Sequence, residues 1–301
     1  MADRVVLVTG STGNQGGAVA RRLLETGWPV RALTRSPDGE RARQLRELGA
    51  EVVGGDLDDA ESVARAVAGA YGVFSVQNFW EHGAEAEVRQ GTTLADAAHR
   101  AGVEHFVYSS VGGTDRGVGL SHFGSKGQIE EHLRTLGLPA TIVRPVFLME
   151  NFNGPQYRPA ILGGTLAFGI QPGRTLQLVA CADVAHYTER ALANRDEFVG
   201  EAVELAGDER TADEHAVAFT QVIGRPVRYV PVPLERVRAM KAEVGEMFAW
   251  MNEEGYQADV EALRRRFPEL LTFEEWLRRT GWEGADAEAA GRPGQASPAG
   301  R

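Results

Sequence analysis

The sequence predicts an α/β protein: a doubly wound parallel sheet with a smaller, interleaved α+β region towards the C-terminus. Three observations predict it. Short apolar runs alternate with helix-like stretches through the first half of the chain. The runs are rich in Val and Phe and nearly uniform in apolarity, as strands buried on both faces are. A glycine-rich turn joins the first run to the first helix-like stretch.

The strand-like runs fall at residues 5–8, 30–33, 52–53, 73–76, 106–108 and 141–143. Between the first two, Val19 with Leu23 and Ala20 with Leu24 are spaced by four, which lines one face of a helix. After Pro145 the rhythm breaks. Residues 153–173 are rich in Gly and Pro and read as loop with short elements. Residues 183–193 read as a helix with Asp183 as its N-cap. Residues 202–206 and 227–232 read as strands, and 234–251 and 260–266 as helices. The expected organisation is a first domain over 1–152, to which 174–200 contributes, then a smaller region over 153–283. Residues 284–301 hold mostly Gly, Ala, Pro and Ser, and read as a disordered tail.

The chain has 301 residues, 43% of them hydrophobic and 25% charged, enough to fill an ordinary globular core. Its net charge of −10 argues against nucleic-acid and anionic-membrane partners, which reward an excess of Lys and Arg. The run Arg264-Arg265-Arg266 reads as a solvated helix face. One cysteine, Cys181, forms no intrachain disulfide and no thiolate zinc site. No two His are spaced as a His-x-x-x-His pair, so no metal site is expected. No apolar run approaches the roughly 18 residues of a membrane span, and the N-terminus lacks a signal-peptide core, so the expected location is cytoplasmic.

The strongest local signal is Gly10-Ser11-Thr12-Gly13-Asn14-Gln15-Gly16-Gly17, between the first strand and the first helix. Its early glycines allow a tight turn and close approach of backbone to a pyrophosphate. The later glycine lets helix and strand pack closely. The helix N-terminus then offers free N–H groups to phosphate. A glycine triplet alone is weak evidence, but strand, turn and helix stand here in the required order. The first domain is therefore expected to be a Rossmann dinucleotide-binding domain.

The end of the second strand selects the dinucleotide. An acidic residue there holds the ribose 2′-hydroxyl of NAD(H). This chain has Leu33-Thr34-Arg35-Ser36 instead. Thr34 and Arg35 suit a 2′-phosphate, which a carboxylate would repel. NADP(H) is thus preferred, and NAD(H) stays open because Asp38 and Gly39 add no further positive charge. Asp56, after the third strand, either meets the adenine edge or caps the next helix.

Short-chain dehydrogenases place Tyr-x-x-x-Lys on a helix beside the nicotinamide. The corresponding stretch here is His122-Phe123-Gly124-Ser125-Lys126, with histidine at the tyrosine position. Lys126 is one of two lysines in a chain with 30 arginines. It shares a helical stripe with His122, Ile129, Leu133 and Leu136 that should face inward. A compact ammonium fits a ribose better than a guanidinium does. Lys126 and His122 are the candidate catalytic residues; His122 reads equally as a general acid or as a neutral wall of the pocket.

Taken together these stretches resemble the NmrA-like family, atypical members of the short-chain dehydrogenase/reductase superfamily, and among them the NADPH sensors. The resemblance runs from Val5 to about Trp282. Val76-Gln77-Asn78-Phe79-Trp80-Glu81 is similar to the family's Val-Thr-Asn-Tyr-Trp-Glu segment. His122 to Glu131 matches its His-Phe-x-Gly-Lys-Gly-x-x-Glu-Glu pattern, and Leu271 to Leu277 its Leu-Thr-x-x-x-Trp-Leu segment. The resemblance implies that Gly10, Ser11, Thr12, Gly13, Asn14 and Gln15 bind pyrophosphate and Arg35 the 2′-phosphate. It implies that Asp56 and Leu57 frame the adenine and that Gln77, Asn78 and Phe79 line the ribose and nicotinamide. Lys126 would hold the nicotinamide ribose, with Leu148, Met149, Glu150 and Asn151 closing over it. Arg89 stands where the family has a cofactor-contacting lysine.

Two functions follow from the resemblance. The first is a redox sensor or regulator, in which NADP(H) occupancy is read by a protein partner or by a change of oligomer, a homodimer being one such assembly. The alternative is an NADPH-dependent reductase of a small electrophile such as a quinone or enone. The missing tyrosine favours the sensor.

Overall fold

The computed structural model describes residues 4–117 and 119–285; the tail expected to be disordered lies almost wholly outside them. The chain forms two compact units. One comprises the residues up to Leu148, then Val179–Gly207 and Tyr256–Leu270; the other comprises Met149–Leu178, Asp208–Gly255 and the residues from Leu271 on.

The first unit is built on seven strands: β1 (Val6–Val8), β2 (Val30–Thr34), β3 (Glu51–Gly54), β4 (Gly72–Ser75), β5 (His105–Ser109), β6 (Ala140–Pro145) and β7 (Ala202–Leu205). All neighbours pair in parallel, in the order β7-β6-β5-β4-β1-β2-β3. This is a Rossmann-type sheet. The crossovers are helices: α1 (Asn14–Glu25), α2 (Glu40–Glu47), α3 (Ala60–Val67), α4 (Phe79–Arg100) and α5 (Ser121–Leu136), with α6 (Cys181–Ala193) before β7.

Alternation along each strand feeds two cores. Val6 and Val8 join Val19 and Leu23 of α1, Tyr187 of α6 and Phe267 on one side. Leu7, between them, joins Val63, Leu94, Ile129 and Leu133 on the other. Both faces are covered, so the strands are mostly apolar, and at edge strand β3 Glu51 and Gly54 are exposed. Buried Thr141 of β6 donates to the Phe198 carbonyl at 2.7 Å and bonds His105 Nε2 at 2.7 Å.

Two helix boundaries differ from the sequence reading. Helix α6 begins at Cys181, and its N-cap is Ala180. Asp183 lies in the first turn and reaches back to accept the Ala180 N–H at 3.2 Å. The long helix expected over 234–251 is two, Leu234–Met240 and Ala242–Glu253, because Lys241 is extended. The corner lets Arg238 Nε reach Glu246 Oε1 at 2.9 Å, a span of about 12 Å in a straight helix.

In the second unit, Thr175–Val179 pairs antiparallel with Asp208–Thr211, and Thr165–Phe168 pairs parallel with Arg228–Pro231. The helices Ala212–Ile223 and Phe273–Arg279 each open on a capping box, Thr211 with Glu214 and Thr272 with Glu275. Their inner faces meet in an aromatic cluster of Phe152, Phe219, Phe273, Trp276 and Trp282. No described helix is long and apolar enough to cross a membrane. No group of His, Cys, Asp or Glu among the described residues could hold a metal ion.

His215 sits inside that cluster, fully buried, its ring 5.1 Å from that of Phe273, with neither ring nitrogen hydrogen-bonded. Burial pushes its pKa down from 6.5 to about 3. The folded chain therefore resists a proton that the unfolded chain accepts. Stability present above pH 6.5 should be lost progressively as pH falls from there towards 3. Melting followed between pH 7 and 4 should show this decline, and His215→Phe should make it shallower, buried His105 contributing the same way.

Candidate functional site

The strand order reverses between β1 and β4, and the C-terminal ends of these two strands open a cleft of about 410 Å³ in the first unit. Thr9 ties the two ends together. Its hydroxyl accepts the Val76 N–H at 2.9 Å and lies 3.1 Å from the Val76 carbonyl. The glycine turn follows. Gly10 has φ +57°, and a Cβ on it would lie 2.7 Å from Val76 Cγ1. A Cβ on Gly16 would lie 2.4 Å from the carbonyl oxygens of both Thr9 and Gly10. Only glycine lets α1 pack this close to the turn.

Gly13 caps α1 without any side-chain hydrogen bond, so the first N–H groups of the helix are left for a ligand. The flanking polar side chains brace the turn. Ser11 Oγ donates to the Leu33 carbonyl at 2.9 Å, and Gln15 Oε1 accepts from Ser109 Oγ at 2.7 Å. Gln77 is buried and lines the cleft; its Nε2 donates to Ser75 Oγ, while its Oε1 has no partner. An orphaned buried acceptor beside a cradle that excludes Cβ atoms is what a hydroxyl-rich, phosphate-bearing ligand would satisfy. The residues present fit a dinucleotide.

Gly10, Thr12, Thr34, Arg35, Asp56, Leu57, Gln77 and Asn78 line this cleft. Asp56 does not cap the next helix. That role belongs to Asp59, which accepts the Glu61 N–H at 3.0 Å, while Asp56 Oδ1 accepts the Asp58 N–H. Asn78 caps α4 by accepting the Trp80 N–H at 3.2 Å. Phe79 follows and touches His122, ring centroids 5.3 Å apart. Arg89 turns towards Asp58, with Nε and a terminal nitrogen at 3.0 and 2.7 Å. Together with Gln90 it holds the Asp58 carboxyl below its ordinary pKa, Gln90 contributing most. Leu148 ends the first segment of this unit. Met149, Glu150 and Asn151 belong to the second unit, where Glu150 Oε1 accepts the Trp276 indole N–H at 3.0 Å.

Three further residues of the cleft have no role assigned by the sequence, although Glu81 ends the 76–81 segment. Arg41, in the first turn of α2, lines it and donates to the Thr12 carbonyl at 2.8 Å. Glu81, in the first turn of α4, accepts from Arg35 at 2.6 Å; His82 lies 3.4 Å from Arg35. The Arg35–Glu81 hydrogen bond raises the arginine pKa and lowers that of the glutamate.

Beyond Phe79 lies the His122–Lys126 pair, with histidine at the tyrosine position and the lysine kept. His122 is buried against Phe79, Trp80 and Phe123. One turn along α5, Lys126 Nζ donates to Glu87 Oε1 at 2.5 Å, and Ser125 Oγ donates to Glu87 Oε2 at 2.5 Å. The Glu87 side chain is fully buried and that of Lys126 is 13% exposed. Sequence reasoning missed Glu87, which on a helix rich in Ala and Glu reads as solvated. Nearby, Glu130 accepts from Ser110, Arg134 and, through both carboxylate oxygens, the Nε and Nη2 of Arg144, while Arg144 Nη1 donates to Asp115 at 2.6 Å. Arg116 pairs with Glu204 at 2.7 Å. The segment after β5 is thus anchored through the 3-10 turn Thr114–Arg116.

Comparison with known proteins shows the family and the fold. The model of the NmrA-like family matches residues 2–277. The chain is 34% identical over 255 residues to the NmrA-like family domain-containing oxidoreductase FrzB of Cladobotryum sp, covering 76% of each. It is 30% identical over 245 residues to the NAD(P)H azoreductase of Xenophilus azovorans, covering 80% of this chain and 82% of that one. Among solved structures, the negative transcriptional regulator NmrA matches with a TM-score of 0.77 in its complex with NAD and 0.76 in its complex with NADP, at 20% identity, over 93% of this chain and 96% of that one. With the glycine turn, the His122–Lys126 helix and a family match over nearly its whole length, the chain belongs to the NmrA-like family.

Proposed function

We propose that this protein binds NADP(H) or NAD(H) in the cleft between β1 and β4 and reduces a small electrophile such as a quinone, an enone or an azo compound. The observation that carries the coenzyme reading is the glycine cradle under an uncapped α1, beside the unpartnered Gln77 acceptor. What supports a reductase is similarity to two oxidoreductases at 30% identity or above, one of them an NAD(P)H azoreductase.

A bound nicotinamide supplies a hydride. The chain's own residues supply binding, orientation and a proton. The N–H groups at the start of α1 and the Arg41 guanidinium favour phosphate. Gln77 Oε1 accepts from a hydroxyl or amide. Glu87 fixes the direction of the Lys126 ammonium, which donates to ribose hydroxyls. Phe79, Trp80 and Phe123 exclude water around His122, and a His122 ring nitrogen, Lys126 Nζ or solvent delivers the proton to the reduced substrate.

The second reading is a redox sensor, whose coenzyme occupancy is read by a partner protein or by self-association. The histidine at the tyrosine position favours it, since His122 is packed among aromatic rings where a proton donor would stand.

NADPH at about a hundred times its Kd should stabilise the protein by about 2.7 kcal/mol, a rise of roughly 5–10 °C in Tm. An unchanged melting curve would remove the coenzyme reading. NADPH oxidation followed spectroscopically with a panel of quinones, enones and azo dyes separates the two functions. A reductase turns over at least one of them, and Lys126→Met lowers kcat/KM by about two orders of magnitude. Saturable binding without turnover selects the sensor.

A further inference from the structure

We propose that Glu81 is a specificity-determining residue: its carboxylate competes with the adenosine 2′-phosphate for Arg35 and so keeps the cleft open to NAD(H) as well as NADP(H). This rests on the reading of the cleft as a nicotinamide dinucleotide site.

Arg35 directly follows β2 and is the basic residue next to the 2′-position that the sequence offers. In the structure its guanidinium is engaged. A terminal nitrogen donates to Glu81 Oε1 at 2.6 Å, and Glu81 reaches it from the start of α4, 46 residues away in sequence. Both residues line the cleft. Glu40 and Asp56 line it as well, so the basic charge of Arg35 and Arg41 faces three carboxylates. A 2′-phosphate on Arg35 meets the Glu81 carboxylate at the same guanidinium, and the two anions repel. A 2′-hydroxyl carries no charge and leaves the pair in place. The arginine that suits NADP(H) is therefore offset by a carboxylate that penalises NADP(H) alone.

The pair is partly exposed, with side chains 54% and 38% accessible. The competition is therefore modest and sensitive to salt. Exposure also means that Glu81→Gln removes the charge without emptying a core position. Arg41, which reaches the cleft independently of Glu81, gives the phosphate a second cation and makes binding survive the competition.

The test is direct binding of NADPH and NADH, by calorimetry or tryptophan quenching, at two ionic strengths. Glu81→Gln should tighten NADPH about fivefold and move NADH less than about twofold. In an Arg35→Ala background the gain should vanish, because competition runs through Arg35. The NADPH gain should also shrink at high salt. An unchanged or weaker NADPH affinity overturns the proposal. So does equal tightening of both coenzymes, a loss of NADH affinity, or a gain that persists without Arg35. A wild-type protein that binds neither coenzyme removes the dinucleotide reading itself, an outcome distinct from an unchanged ratio in the variant.

Discussion

The structure of the first unit depends on one close approach, that of α1 to the turn before it. No Cβ fits at Gly16 against the Thr9 and Gly10 carbonyls. That contact sets where α1 starts, and the start of α1 sets where its unpaired N–H groups point. The Thr9 hydroxyl fixes the other wall by holding the backbone at Val76. Cleft and sheet are one construction: the residues that reverse the strand order also make the space for a ligand.

Helix α4 governs the charges at that site. Its first turn supplies Glu81 to Arg35, and Glu87, past the positive-φ break at Gly83, goes to Lys126. Geometrically the two pairs are alike, a carboxylate oxygen within 2.6 Å of a cationic nitrogen. They differ in solvent. An exposed pair contributes about 0.2–1 kcal/mol, whereas breaking a buried one by removing a partner costs about 3–5 kcal/mol. The Arg35 end can thus exchange partners, and the Lys126 end is held. A site that must admit coenzyme yet orient one ammonium needs that asymmetry.

Much of this was legible in the sequence. The six strand-like runs of the first half all lie in the sheet, as does that over 202–206, because burial makes most of them near-continuous apolar runs; the run over 227–232 pairs elsewhere. The glycine turn was legible because its backbone tolerates no substitute. His122 and Lys126 were legible through their spacing on an inward stripe. Glu87 was not, since burial of a carboxylate depends on Ser125 and Lys126 arriving from another helix. Arg41 was hidden by a two-residue shift into α2, behind Asp38 and Gly39, which look unhelpful to a phosphate. The break at Lys241 carries no Gly or Pro, so periodicity runs through it. Asp183 signalled a helix start correctly in kind, but it bonds backward from inside the first turn rather than standing outside it.

The order of the chain has a consequence for synthesis. Strand β6 pairs on one side with β5, which precedes it, and on the other with β7, where Ala202 meets Ile142 sixty residues later. A chain emerging from the ribosome therefore carries β6 as an open edge while the first segment of the second unit, Met149–Leu178, is made. Phe267 and Leu270, which complete one face of the core, arrive later still. An unpaired parallel edge over an unfinished core is the arrangement most exposed to pairing with another chain. Between the emergence of β6 and that of residue 270, a nascent copy of this protein exposes first that edge and then one unfinished face of the core.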